Sequence, residues 1–591
     1  MMKLRYYTLM FVVIGFIVFS RFVNISWGLP YPFHPDERNM VVSIMNMRPE
    51  NNFNPEFFAY GQLSTYLGLM LIFFAKLIIG RVDLYHPSSF FPVSFDDATL
   101  ALRYISVIAS LTNAYVLYLF IHYCVEKWNI KEKLGSFDLI FLIVCFPVFV
   151  APFFVQFSHF GTTESLLMLL FSSIVYISLR CMNEVIDAKK ILLLGLLVGL
   201  ASGTKISATL FGLIPCIAFF LRKRERYEFS AFLSDFYLIV KIGAISVFIS
   251  VFVSPYNIIE WNLFTSSLRY ESGVALGNML VFYTGSFAHT IPVLYQFIAT
   301  FPYVLGMPLL MLFILGFIFL PWNRELLMMR IVWILFFFSQ AFMYAKWTRF
   351  LAHIYPLMGV LGVLFLIYSI SWTLTSFKDR RLQIVIISII SIIGIIGSVP
   401  GIGYIHIFQT EDTRFQASRW IYKHIEPNSK LLSETANVID IPITIPGEDP
   451  INFPIQNESF NFYDLDVSSE LQSKLSFFEN TADYILVPSR RIFYNYSCQN
   501  PKDLLKGVTQ KIVLKDKNTC AILKSKYPLL DEYYMRLFRG NVFEKVAEFS
   551  SYPTVSIFGF TLWKQVDELA EETWSVFDHP VIRIYKRKIV N

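Results

Sequence analysis

Charge is what this sequence has least of. Only 16% of its 591 residues are Asp, Glu, Lys or Arg, against 55% hydrophobic. A soluble domain carries roughly a quarter charged residues. The deficit lies in long apolar runs, which exclude an ordinary soluble protein and imply a polytopic membrane protein. Cysteine is scarce too, with six in all. Cys124, Cys145, Cys181 and Cys216 sit in or beside apolar runs without metal-ligand spacing and read as packing residues. Cys498 and Cys520 are the only pair in the polar C-terminal part, where a disulfide is expected if that part faces an oxidising compartment. Also missing are a Gly-Lys-Ser/Thr phosphate loop, a Gly-x-Ser-x-Gly elbow, His-Glu-x-x-His and Cys-x-x-Cys. The net charge of +6 is no nucleic-acid footprint, because the basic residues form short clusters between apolar runs. The first run, from Tyr7 to about Leu29, is long enough to stay as a span and lacks a small-residue cleavage site, so no cleaved leader is expected.

What is there predicts a helical membrane protein of about eleven transmembrane helices, over 8–29, 101–121, 139–157, 163–179, 191–204, 206–221, 236–254, 302–320, 330–345, 350–371 and 382–404. With this assignment Lys3 and Arg5, the clusters at 127–133, 180–190 and 222–226, Arg324 and Arg330, and Lys378, Arg380 and Arg381 all fall on one side. The positive-inside rule makes that side cytoplasmic, with the N-terminus inside and the C-terminus outside. Counting the apolar run 61–80 as a crossing would break this pattern. It is therefore read as a helix lying in the interface or against the bundle, within a first outer loop of 30–100. The short pair 191–204 and 206–221 places Lys205 at the outer end, and a second outer segment over 255–301 carries Tyr270-Glu271. The expected division is a membrane module over 1–405 and an extracytoplasmic α/β domain over 406–591. In the latter, Asp412-Thr413 is expected to cap a helix over 414–424, with β-type runs at 484–487 and 581–585.

The acidic turn His34-Pro35-Asp36-Glu37-Arg38 stands at the outer lip of the first span, where carboxylates are costly and usually mark function. Other ionisable groups come to the same outer face from distant segments: Glu56, Arg103, His159, Glu164, Lys205, Glu271, Lys346 and Arg349. Carboxylates and cations at one membrane surface suit a reaction on a lipid phosphate, with the cations holding phosphate and a carboxylate taking a hydroxyl proton. Asp36 and Glu37 are the catalytic candidates. His34, Glu56, Tyr60, His159, Glu164 and Glu271 would position acceptor or sugar, and Arg38, Arg103, Lys205 and Arg349 would hold the lipid phosphate. Each has a plainer reading. Asp36-Glu37 could serve a helix dipole, Arg103 and Lys205 could snorkel, His159 could be a packing residue, Glu164 could open a helix, and Lys346 and Arg349 flank Trp347 as in an interface belt. A secondary transporter would keep polar groups near the midplane, whereas here they gather at one rim.

Several segments together resemble a known superfamily: HPDER at 34–38, NPEFFAYGQLSTYL at 54–67, LRYISVIASLTNAYVLYLF at 102–120, FVQFSHFGTTESLLMLLF at 154–171, GLLVGLASGTKIS at 195–207, KWTRFLAHIYPLMGV at 346–360 and DTRFQASRWIYKHIEP at 412–427. In that order they are similar to the dolichyl-phosphate-mannose protein mannosyltransferase and aminoarabinose transferase superfamily, membrane glycosyltransferases of the GT-C type. The resemblance implies inverting transfer of a sugar from a polyprenyl-phosphate donor to an acceptor hydroxyl at the outer face, with Asp36 as base and Arg103 the best-matching phosphate contact. The acidic residue that opens the fourth span in the family, commonly Asp, is here Glu164. The implied partners are the lipid-linked donor, membrane lipids and a protein, lipid or polysaccharide acceptor. No cofactor is required; a divalent metal is conceivable but not indicated. A polyprenyl-linked flippase and a non-catalytic membrane scaffold remain as alternatives.

Overall fold

The computed structural model describes residues 2–80, 90–126, 137–223, 229–434, 439–448, 456–501 and 517–588. The basic cluster 127–133 and Arg224 and Arg226 lie outside them. Each of the eleven predicted stretches overlaps a helix, several of them not over their full length. Six helical stretches are long and apolar enough to cross a membrane alone: Phe95–Glu126, Glu164–Asn183, Phe232–Val253, Pro302–Phe319, Thr348–Ser376 and Arg380–Gln409. A seventh candidate is bent, joining Ile140–Phe149 to Pro152–His159 at 50°. The break falls at Pro152, which cannot donate to the preceding turn. The remaining apolar helices are shorter, so a count of eleven crossings does not follow from length and composition.

The elements that position the acidic turn and its surroundings are α1 (Met2–Phe22), α2 (Pro35–Asn46), α3 (Leu63–Ile78), α4 (Phe95–Glu126), α5 (Pro152–His159), α6 (Glu164–Asn183), α7 (Ala188–Thr204), α8 (Phe229–Val253), α9 (Trp261–Leu276) and α10 (Arg380–Gln409). The first helix stops at Phe22, short of the predicted Leu29. The chain then turns through Asn24 and Gly28, both at positive φ. Arg21 anchors that end, fully buried, with Nε donating to Ser110 Oγ at 3.0 Å and Nη2 donating to the Phe149 carbonyl.

Helices α7 and α8 run parallel and touch through glycine. A Cβ on Gly195 or Gly199 would come within 2.6 Å of Ile245 or Ile249, and one on Gly203 would meet Val253. Close backbone approach through small residues four apart is how helices gain contact inside a membrane, where lipid is as apolar as leucine. Helix α3, the run that was set aside as non-crossing, is tied at both ends to one end of the bundle. Beside its start Gly61 N donates to Thr204 O at 2.9 Å and Gln62 N to Ser254 Oγ at 2.9 Å; near its finish Lys76 pairs with Asp97 at 3.3 Å. It therefore lies across that end, packing Leu69 and Ile72 on Met40, Val41 and Ile44 of α2 and on Ala98 and Leu102 of α4.

Helix α10 continues to Gln409 through Pro400, four residues past the predicted edge of the membrane module. Beyond it is an α/β fold that begins with α11 (Thr413–His424), capped by Asp412 accepting from Arg414 N at 2.8 Å. The strands are β1 (Lys430–Glu434), β2 (Gln456–Phe460), β3 (Tyr484–Val487), β4 (Phe543–Phe549), β5 (Thr554–Ile557), β6 (Phe560–Lys564) and β7 (Ile582–Arg587). Five form a sheet of order β2-β1-β3-β7-β4, with β1 parallel to β2 and β3, and β7 antiparallel to β3 and β4. The other two, β5 and β6, make a separate hairpin. Cys498 and Cys520 are joined by a disulfide, with Cα atoms 5.5 Å apart.

Candidate active site

The two adjacent carboxylates of the acidic turn point to different places. Pro35 starts α2, and His34 caps it, its Nδ1 accepting from Glu37 N at 3.3 Å. One helical step then separates Asp36 from Glu37 by about 100°. Glu37 turns inward and is 3% exposed. Its Oε1 accepts from Arg103 Nε at 2.8 Å and from Gly161 N at 2.7 Å, and its Oε2 from Arg103 Nη2 at 2.8 Å. Arg103 is spent on this scaffold: Nη1 donates to the carbonyls of Ile25 and Trp27 at 2.9 and 2.8 Å, and the guanidinium lies 4.5 Å from the Trp27 ring centroid. The pair welds the start of α2 to α4 and leaves Arg103 no fork for a phosphate.

Asp36 turns the other way, into a small pocket of ≈ 20 Å³ lined by His34, Gln156, Phe157, Phe160, Thr162, Glu164, Thr348, Arg349, Thr573 and Phe577. It pairs with Arg349, and both side chains are 20% exposed. Arg349 Nε finds no partner among the described residues. The same arginine lines a second, larger cavity of ≈ 210 Å³, whose apolar walls include Leu167, Ala208, Leu210, Phe211, Phe336 and Phe350, with Tyr60, Lys205, Ser207, Glu271, Ser272, Gln340 and His353 as its other polar groups. The Lys205 ammonium lies 5.4 Å from the Tyr60 ring and 5.2 Å from the Phe350 ring. The arrangement is thus a polar chamber with two carboxylates and a greasy chamber with a cation, joined at one arginine.

The remaining predicted residues divide. Glu164 opens α6 and reaches the small pocket, while Tyr60, Lys205 and Glu271 line the large cavity. His34 lies between the rings of Phe160 and Phe577 at 4.6 and 4.5 Å. Burial, then the charges of Arg349, Arg103 and Arg491, keeps its pKa well below the usual histidine value, in keeping with Nδ1 as an acceptor. Four expectations need correction. Arg103 faces Glu37 and not a ligand. His159 stacks on Phe408 at 3.7 Å with Nδ1 and Nε2 on the carbonyls of Val155 and Val23, so both ring nitrogens are committed to packing. Arg38 is exposed one helical step from Glu37, and Glu56 is exposed in the loop between α2 and α3; neither lines either chamber. Lys346 donates to the Tyr344 carbonyl at 3.1 Å.

The C-terminal domain contributes residues that the sequence reading did not single out. Thr573 and Phe577 close the small pocket. Glu571 Oε2 accepts from Thr348 N at 2.9 Å and Thr348 Oγ1 at 2.8 Å, fixing the residue beside Arg349. Arg490 holds the same segment by donating to the carbonyls of Ala570 at 2.9 Å and Glu571 at 3.0 Å. Asp578 Oδ2 accepts from Tyr404 Oη at 2.8 Å and Gln156 Nε2 at 3.2 Å, joining the domain to α10 and α5. A signal was present: Asp567, Glu568, Glu571, Glu572 and Asp578 crowd one short stretch of sequence. Among the described residues no three His, Cys, Asp or Glu side chains are placed to hold a metal ion.

No family model matches the chain, and no curated protein matches it in sequence. Solved structures do align with it. ArnT from Cupriavidus metallidurans in the apo state is 12% identical, with a TM-score of 0.40 over 81% of this chain and 92% of that one. ArnT bound to undecaprenyl phosphate is 11% identical, with a TM-score of 0.43 over 82% and 94%. The Archaeoglobus fulgidus oligosaccharyltransferase in complex with Zn and sulfate is 10% identical, with a TM-score of 0.41 over 82% and 69%. The likeness is one of chain path alone. No residue role is taken from it.

Proposed function

We propose that this membrane protein transfers a sugar from a polyprenyl-phosphate donor to an acceptor hydroxyl on the non-cytosolic side. The observation that carries this reading is the Asp36–Arg349 pair at the junction of a carboxylate-bearing pocket and an apolar cavity. The cavity, with Lys205 on its wall, suits an isoprenoid chain ending in an anion; the pocket presents Asp36 and Glu164 to hydroxyl groups and, with room for about one water as it stands, must widen to admit a sugar. The pattern of basic clusters in the sequence supports a cytoplasmic N-terminus and a C-terminal domain outside, and the Cys498–Cys520 disulfide is in keeping with that side.

In the resting protein Arg349 neutralises Asp36. An arriving donor phosphate competes for the guanidinium, draws it towards the cavity and frees the carboxylate beside the acceptor. The acceptor oxygen then attacks the anomeric carbon from the face opposite the phosphate. Its proton passes to Asp36, the bond from the anomeric carbon to the phosphate oxygen breaks, and that electron pair leaves on polyprenyl phosphate with Arg349 and Lys205. General-base assistance of this kind is worth about 10²–10⁴-fold, and one charge-stabilising donor about 3–4 kcal/mol. Glu37 and Arg103 act one layer back, as positioning residues that set the angle of α2.

Binding of polyprenyl phosphate to the purified protein tests the donor side. Arg349→Ala and Lys205→Ala are each expected to weaken it at least tenfold, about 1.4 kcal/mol, and Arg38→Ala to leave it unchanged. Native affinity in both cavity variants would overturn the assignment.

A further inference from the structure

The β5–β6 hairpin carries an apolar tip that no described residue covers: Ile557, Phe558, Phe560 and Leu562 are 50%, 96%, 75% and 64% exposed. Scattered exposed apolar residues need no explanation, but a contiguous run marks an interaction surface. Three contacts fix the direction in which the tip points. Ser551, just before the hairpin, meets Thr410 at the end of α10, with Oγ–Oγ1 at 2.8 Å. Three residues on, a Cβ placed on Gly403 would lie 3.3 Å from Thr554 N and 2.5 Å from the Trp563 ring. From 410 back to 403 is about 10 Å along a helix, and from 551 to 554 is about 10 Å along a strand. The hairpin therefore descends along α10 towards its middle, and Phe558 comes about 13 Å below Thr554.

That descent ends beside the outward face of α10, where Ile392, Ile395 and Ile396 are 54%, 54% and 49% exposed. Arg380–Gln409 is long and apolar enough to cross a membrane, so this isoleucine stripe faces lipid, and the hairpin tip continues the same surface. The residues are also graded as at a bilayer surface. Tyr552, Trp563 and Lys564 stand at the base, with the Lys564 ammonium 4.9 Å from the Tyr552 ring centroid, and large apolar side chains stand towards the tip, with the small Ser556–Thr561 pair among them. Trp, Tyr and Lys suit the headgroup level, and Phe, Ile and Leu the acyl chains below. A two-stranded hairpin has open edges that cannot enter dry hydrocarbon. Its place is the headgroup–acyl boundary, where edge amides stay hydrated and apolar side chains reach down about 5–10 Å.

We propose that the β5–β6 hairpin seats the C-terminal domain in the lipid bilayer, with Ile557, Phe558, Phe560 and Leu562 buried among acyl chains beside α10. This anchor holds the domain, and with it Thr573 and Phe577, at a fixed height over the polar pocket. The inference does not depend on the transferase reading.

The test uses the full-length protein in phospholipid vesicles, with a nitroxide on Phe558→Cys and, as a second position, on Leu562→Cys; signal from identically treated unsubstituted protein is subtracted. Phe477→Cys, on the exposed face of helix 469–481, is the water-facing control. The expected result is strong relaxation by oxygen and weak relaxation by a water-soluble nickel chelate at 558 and 562, with the reverse at 477. Nickel accessibility at 558 and 562 equal to that at 477 would overturn the anchor. Protection from both reagents would overturn it too, because a protein partner and not lipid would then cover the tip.

Discussion

Two neighbouring carboxylates are given opposite tasks by one step along a helix. Glu37 is buried and doubly bound to Arg103, whereas Asp36 meets Arg349 at an open junction. Their substitutions should therefore fail differently. Glu37→Gln leaves a guanidinium that is 2% exposed without its counter-charge, which costs about 3–5 kcal/mol. It is expected to lower the melting temperature of the detergent-solubilised protein clearly. Asp36→Asn, at a partly exposed pair, should melt within a few degrees of the native protein. Equal melting losses would contradict the division of labour. In sequence, Asp36 and Glu37 stand out as adjacent carboxylates at the end of a span, but which of them faces the chamber depends on where α4 presents Arg103, and that is a matter of packing.

At the scale of elements, glycine decides the closest approach in the bundle. Gly199→Leu would drive a side chain into Ile249 across the α7–α8 contact. Overpacking of this sort costs about 1–3 kcal/mol, and faster hydrogen exchange along 188–204 would report it; unchanged protection would mean that the helices can part without penalty. The four-residue spacing of Gly195, Gly199 and Gly203 is a signal that the sequence reading did not take up. Helix positions were legible throughout because apolar length alone marks them, and β3 was legible because Tyr484–Val487 is a short, fully buried apolar run. The second outer segment was not: α9 carries no pattern that says its Glu271 will share a cavity with Lys205. The tract 567–579 was not legible either, since its acidic residues are spent on contacts with the distant Thr348, Arg490 and Tyr404.

For the whole molecule, the join between bundle and C-terminal domain is polar and buried. His579 bridges Asp567 and Asp578, its Nε2 and Nδ1 at 2.8 and 2.7 Å from their oxygens, and Asp578 also accepts from Tyr404 and Gln156. Burial pulls the imidazole pKa down, but the two carboxylates outweigh it and the net shift is up, to about 10. The folded protein thus prefers imidazolium. Its contribution is complete below the ordinary value of 6.5 and is lost as pH rises through about 10. Melting temperature should fall between pH 7 and pH 10 in the native protein, and His579→Gln should start lower and fall less. Parallel pH profiles would show that the bridge does not carry the join.

The account rests on Asp36 as the group that takes the acceptor proton. The direct test is release of polyprenyl phosphate from a radiolabelled polyprenyl-phosphate sugar by the reconstituted protein with membrane acceptors. The native protein is expected to release lipid phosphate and label an acceptor, and correctly folded Asp36→Asn to do so about 10²–10⁴-fold more slowly. Native turnover in that variant, or label crossing the bilayer still attached to its lipid, would contradict it.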